Sequence, residues 1–368
     1  MTLPLGADYA PMEARLVDAI PTGPEWQYEP KWDGFRCLAF RDGDSVVLRS
    51  RSGKPLERYF PDVVEAVRAV PASRFVLDGE LVVPVGAQLA FDELLQRIHP
   101  AASRVRRLAA ERPAMYIVFD LLADDEGRSL VAQPLAERRR RLEAFARKHL
   151  ARAGAIRLSP ATDDLEAARA WLARAGGNLD GIVAKVRGVP YLSGTRDGMV
   201  KVKRGRTADC VVGGFRYATN ARVVGSLLLG LYDDAGKLHH VGFTSGFAAA
   251  ERKALLTRLR PLMSGAGFTG NAPGGPSRWS TERTGEWEPV EPKLVVEVGY
   301  DQVTAGRFRH GTRFLRWRPD KAPRQCTLEQ LDSGARPRLA ALLDGMAPAA
   351  PSRARGRSRA DSAARRRG

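Results

Sequence analysis

The chain has 368 residues, 44% hydrophobic and 27% charged, a balance that excludes a disordered or membrane-embedded protein and leaves room for two domains with cores of their own. Its 59 basic residues against 42 acidic ones give a net charge of +17, a field that attracts polyanions and makes nucleic acid the partner to look for. Cys37, Cys210 and Cys326 stand too far apart for a zinc ribbon or a disulfide framework, and neither a secretory signal nor an apolar run of roughly 20 residues occurs, so a reducing cytoplasm and no membrane are expected.

In chain order, residues 26–34 read as a loop, followed by strands at 35–40 and 45–48 around the turn Arg41-Asp42-Gly43-Asp44. Further strands are predicted at 75–83, 116–122, 181–186 and 199–202, with helices at 61–70, 91–98, 135–149 and 164–175 between them. After Lys203 the run Arg204-Gly205-Arg206 reads as a hinge. Beyond it come short strands at 210–215, 226–231, 238–243, 294–300 and 313–317, with one helix at 250–259, a pattern that suggests a small barrel such as an OB-fold. From Ala347 onward seven arginines stand among Pro, Ala, Ser and Gly with the single acid Asp361, which predicts a disordered basic tail. The expected organisation is therefore α+β: a first domain of mixed sheets and helices over 1–204, a barrel over 205–346 and the tail over 347–368.

Only 10 of the basic residues are lysines, against 49 arginines. A lysine retained in such a chain suggests something arginine cannot do, such as losing its proton and attacking an electrophile. The formal glycine-rich match Gly265-Ala266-Gly267-Phe268-Thr269-Gly270 is rejected as a dinucleotide loop, because a helix precedes it and Asn271-Ala272-Pro273-Gly274-Gly275 cannot form one after it. The five histidines show no metal spacing and are expected to be structural.

A stronger signal is Glu29-Pro30-Lys31-Trp32-Asp33-Gly34-Phe35-Arg36. It is followed in order by Ser50-Arg51-Ser52-Gly53, Asp78-Gly79-Glu80, Tyr116-Ile117-Val118-Phe119-Asp120, Asp180-Gly181-Ile182-Val183-Ala184-Lys185, Lys201-Val202-Lys203 and Arg318-Pro319-Asp320-Lys321. This series resembles the covalent nucleotidyltransferases, the superfamily of DNA ligases, RNA ligases and capping enzymes. Over residues 10–330 it looks most like the compact bacterial ATP-dependent DNA ligases, both the stand-alone C-type enzymes and the ligase module of end-joining ligases.

The resemblance implies that the first domain is an adenylation domain in which Lys31 attacks the α-phosphorus of ATP. Lys201 and Lys203 would contact that phosphate and, as cations, disfavour the charge on Lys31. It further implies Phe119 stacking on the base, Glu29 accepting from the adenine amino group, Arg36 at the ribose and Arg51 facing the reacting phosphate. Asp180 would hold magnesium, with manganese as a substitute, directly or through a bridging water, since the family more often has glutamate there. Glu80 would lie near the ribose or the metal. Arg318, Asp320 and Lys321 would orient the departing pyrophosphate when the barrel closes.

ATP is favoured over NAD because the chain cannot build the four-cysteine zinc module of the NAD-dependent ligases. The implied partner is nicked double-stranded DNA, with a repair polymerase or end-joining proteins beside it, and the expected form is a nucleoid-associated monomer. An RNA ligase or capping enzyme, and an inactive nucleic-acid-binding scaffold on the same fold, are the alternative readings.

Overall fold

The computed structural model describes residues 3–150, 154–175, 179–219, 221–263, 265–274, 286–331 and 339–343, and the basic tail expected from residue 347 lies outside them. The first unit is built on two sheets. One has five strands in the order Ser45–Ser50, Phe35–Asp42, Arg74–Val82, Met115–Ala123 and Ile156–Leu158, antiparallel except for the last pairing. The other has four, in the order Arg15–Leu16, Met199–Lys203, Leu179–Val186 and Trp26–Trp32.

Residues 26–32, expected as a loop, are thus a strand paired along its length with Leu179–Val186. Their alternation is regular: Trp26, Tyr28, Pro30 and Trp32 fall on one face, and Gln27, Glu29 and Lys31 on the other. Tyr28 and Trp32 join Ile182, Ala184, Val200 and Val202 in a buried cluster that also takes Ala168 and Trp171 from the helix Leu165–Ala173. The opposite face of the same sheet carries mostly polar side chains, with Val183 and Met199 among them, and looks into a cleft.

The turn at Asp42-Gly43 forms as expected, with Asp42 opposite Ser45 and Gly43 at φ 62°. The helices Pro61–Arg68, Phe91–Arg97 and Leu135–His149 also fall where the periodicity puts them, and Ala102–Glu111 adds one that it did not.

Past Lys203, two residues lead into Arg206–Ala218, the first strand of a closed ring. This strand pairs with Ala221–Tyr232, which pairs with Leu238–Ser245, then Thr312–Trp317, then Val295–Tyr300, which returns to Arg206–Ala218. A five-stranded ring with the helix Ala249–Leu259 packed against Ala221–Tyr232 is the expected OB-fold. Its core is its own, drawn from residues between Ala208 and Leu331.

The short helix Leu339–Leu343, inside the range assigned from sequence to the barrel, packs instead on the first unit. Leu339, Leu342 and Leu343 are buried in the cluster of Tyr28, Val82 and Ile117, and the Leu339 amide donates to the Ala87 carbonyl at 3.0 Å. Four histidines have partners of an ordinary kind: His99 accepts from the Ala101 amide, His149 meets Asp125, His239 meets Asp233, and His240 accepts from Arg307.

Candidate active site

Strand register assembles the cleft. Lys31 stands opposite Gly181, which stands opposite Lys203, while Glu29 stands opposite Val183, which stands opposite Lys201. Gln27, Lys185 and Met199 form the next row. Directly opposed residues share a face, so the whole polar set points the same way. The five-stranded sheet supplies the facing wall, where Arg36 is opposite Glu80 and the register slips around Phe119, between Asp120 and Val118.

Glu29, Lys31, Arg36, Arg51, Glu80, Phe119, Lys185 and Lys201 line one common cleft. Two glycines permit it. A Cβ at Gly34 would lie 2.2 Å from the Leu81 carbonyl oxygen, and one at Gly181, whose φ is 147°, would lie 2.0 Å from that of Val202.

At the floor, the carboxylate of Asp180 lies between two amines, with Lys31 Nζ at 2.7 Å and Lys203 Nζ at 3.2 Å. Burial pushes Asp180 up, but Lys31 and Lys203 outweigh it and hold the group below the usual carboxylate range. Burial also pushes Lys203 down, and Asp180 with Asp301 more than reverses it. At Lys201 the pull of Asp180 is too small to reverse the shift: burial first, then the charges of Lys31, Lys203 and Arg51, bring it below an ordinary lysine.

Cations about Lys31 are what the sequence leads one to expect. The structure adds a carboxylate in direct contact, and the repulsion shows at Lys201. Glu80 is pushed up to about 7 by loss of hydration, against the pull of Lys31 and Arg36.

At the other end of the cleft Glu29 is held by two donors, Gln27 Nε2 on Oε1 and Lys185 Nζ on Oε2, each at 2.8 Å. The Arg36 guanidinium and the Lys185 ammonium each lie 4.6 Å from the centre of the Phe119 ring. Arg36 is also committed to Asp78, its Nη2 lying 2.6 Å from Oδ2, and Tyr191 donates to the same oxygen at 2.7 Å.

The barrel contributes residues that the sequence did not mark. Gln302 donates to Asp180 Oδ1 at 2.9 Å, Asp301 meets Lys203 at 2.9 Å, and Arg309 grips Asp33 through two hydrogen bonds of 2.8 Å. Nothing in their local spacing signals this, because it depends on how the barrel docks. Arg318, Asp320 and Lys321 are not brought to the cleft. Arg318 binds Asp209 at 2.8 Å and Asp320 at 2.9 Å, and Lys321 lies 3.8 Å from Asp209, all on the barrel.

Among the described residues no group of three or more His, Cys, Asp or Glu gathers into a protein-only metal cage. One ionised carboxylate, Asp180, with Lys31 and Lys203 beside it, does fit a hard cation that takes its remaining ligands from phosphate and water.

A two-sheet unit with this cleft, joined to an OB barrel, has the architecture of a nucleotidyltransferase. Residues 11–203 match the family model described as ATP dependent DNA ligase domain, and residues 220–321 match the ATP dependent DNA ligase C terminal region. The chain is 45% identical over 345 residues to DNA ligase C1 of Mycolicibacterium smegmatis, covering 90% of this chain and 96% of that one. It is 42% identical over 363 residues to DNA ligase C of Mycobacterium tuberculosis, covering 94% and 100%. A solved Lig E DNA ligase, 18% identical and covering 84% of this chain and 99% of that one, shares the fold at a TM-score of 0.52. The chain belongs to the ATP-dependent DNA ligases and is an ATP-using enzyme that acts on DNA. Of the readings left open by the sequence, the family match selects this one over an RNA ligase, a capping enzyme or an inactive scaffold.

Proposed function

We propose that the enzyme seals 5′-phosphate/3′-hydroxyl nicks in duplex DNA in three steps, with AMP carried on Lys31 between the first and second. Lys31 Nζ attacks the α-phosphorus of ATP, the nitrogen–phosphorus bond forms, and pyrophosphate leaves with the broken P–O bond. The 5′-phosphate of the nick then displaces Lys31, and the 3′-hydroxyl displaces AMP. The observation that carries this reading is the contact of Lys31 Nζ with Asp180 at 2.7 Å in a cleft that also holds Lys201, Glu80 and Phe119.

Asp180 engages Lys31 Nζ at 2.7 Å, so the nitrogen must leave this contact before it can attack phosphorus. When magnesium or manganese is bound, Asp180 is the ligand that would hold it, and the ion would supply charge neutralisation at the phosphates. Lys201 and Lys203 stabilise the charge growing on the phosphorus oxygens, and Arg51 fits a phosphate at the mouth of the cleft. Phe119 offers its ring to the base, Glu29 accepts from the amino group of adenine, and Arg36 and Glu80 lie on the ribose side.

Arg318, Asp320 and Lys321 sit on the barrel, so their contact with the departing pyrophosphate requires it to turn about the short connection at 204–205, which we take as the boundary between the two domains. DNA repair in the cytoplasm, with the enzyme as a monomer on the nucleoid beside a polymerase or end-joining proteins, is the setting that this chemistry and the net charge of +17 suit.

Incubation with α-labelled ATP and magnesium should label the protein. Lys31→Ala should abolish the label and sealing together, and equal labelling of that variant would remove Lys31 as the nucleophile.

A further inference from the structure

Lys185 lines the cleft beside Glu29 with no task in the three steps. Its Nζ lies 2.8 Å from Glu29 Oε2, and the two side chains are only 7% and 3% exposed. Gln27 Nε2 takes the other oxygen, Oε1, at 2.8 Å. The register fixes the arrangement: Lys185 stands opposite Gln27, Val183 stands opposite Glu29, and all four residues share the cleft face of their sheet.

A carboxylate this deeply buried is a dependable acceptor only while its charge is matched and its oxygens are hydrogen-bonded. With one donor on each oxygen, each still has a lone pair for a ligand. The Lys185 ammonium lies 4.6 Å from the centre of the Phe119 ring, which puts this carboxylate at the aromatic end of the cleft, away from the Lys31 floor.

We propose that Lys185, assisted by Gln27, is a positioning residue that holds Glu29 as a fixed, charged acceptor for the exocyclic amino group of the purine, and so selects adenine over purines without that donor. The proposal rests on the nucleotide reading of the cleft given above. Lys185 acts through Glu29, and the loss caused by removing it depends on whether the nucleotide has an amino group to present.

The test compares self-adenylation by wild type, Lys185→Met and Gln27→Ala on ATP and on purine riboside triphosphate, the same ring without the amino group. On ATP, Lys185→Met should raise KM about 10- to 100-fold while the maximal labelling rate changes by less than about threefold. Gln27→Ala, which removes no charge, should raise it about 3- to 10-fold. On purine riboside triphosphate the three proteins should agree within about threefold.

Equal losses on both nucleotides, or a fall in rate with KM unchanged, would overturn the proposal, because a merely structural lysine or one contacting phosphate does not sense the amino group. If Lys185→Met does not fold, Gln27→Ala decides by the same comparison. Failure of the wild type to label with ATP would remove the nucleotide reading itself, whereas normal labelling with losses indifferent to the base would remove only the role of Lys185.

Discussion

Arg309 and Asp33 lie 276 residues apart and are joined by two hydrogen bonds of 2.8 Å, so a barrel residue is fastened to the side chain two positions beyond Lys31. The same guanidinium lies 3.7 Å from the centre of the Phe91 ring, which makes the contact both ionic and stacked. Arg309→Ala should therefore loosen the docked barrel. We expect faster tryptic cleavage at Arg204 and a drop in sealing of about tenfold or more. Arg309→Lys should rescue little, because an ammonium cannot replace a two-pronged grip.

Asp301 and Gln302 place a carboxylate on Lys203 and an amide on Asp180, where the phosphate and the cation of the proposed reaction would go. Incoming ATP must displace them. Asp301→Ala should speed self-adenylation at subsaturating ATP by about two- to fivefold, in line with the small net worth of a half-exposed ion pair. Single-turnover labelling would show it, and an unchanged or slower rate would count against competition.

Gly181 holds the chain at φ 147° with no room for a Cβ against the Val202 carbonyl. Gly181→Ala should lower unfolding free energy by about 2–4 kcal/mol, read from urea denaturation. It should also uncouple Asp180 from Lys31, so labelling falls even at temperatures where the variant remains folded.

Glu80 is pushed up to about 7 from its ordinary 4.5, first by burial. The folded chain then keeps a proton that the unfolded chain has lost, so the stability this group contributes is present below about pH 4.5 and is lost as the pH rises toward 7. Glu80→Gln should flatten that part of the stability profile of the nucleotide-free protein. Asp180, held below its ordinary value, acts in the opposite sense, its stabilisation being lost as the medium becomes acid. A thermal melt series from pH 2 to 8 on wild type, Glu80→Gln and Asp180→Asn checks both signs, Glu80 in the upper part of the range and Asp180 at its acid end.

Much of the cleft is legible before any coordinates because its chemistry is packed into short runs. Glu29, Lys31 and Arg36 fall within eight residues, and Lys201 and Lys203 are adjacent on one strand face. The strand Trp26–Trp32 was hidden by Pro30, which argues against a paired strand, and by the polar face that the cleft demands. Its alternation was nonetheless present. The helix Ala102–Glu111 buries only Val105, Leu108 and Ala109 among charged neighbours, too thin a stripe to stand out.

The grip of Arg309 on Asp33, the reach of Gln302 to Asp180 and the commitment of Arg36 to Asp78 come from docking and register over long separations. No local pattern carries that information. Lys185 ends the run Asp180-Gly181-Ile182-Val183-Ala184-Lys185, yet its partnership with Glu29 depends on the pairing of two strands more than 150 positions apart.

The helix Leu339–Leu343 gives the polypeptide a second mooring. The chain leaves the first unit at residue 203, builds the barrel, and comes back to bury three leucines beside Val82 and Ile117. A body tied at both ends can pivot between its anchors but cannot drift off on a single leash. Any large excursion of the barrel must either spare those leucines or peel them out, so turnover should be sensitive to a polar residue placed at Leu342, in the buried cluster of Tyr28 and Trp32 rather than in the cleft lining.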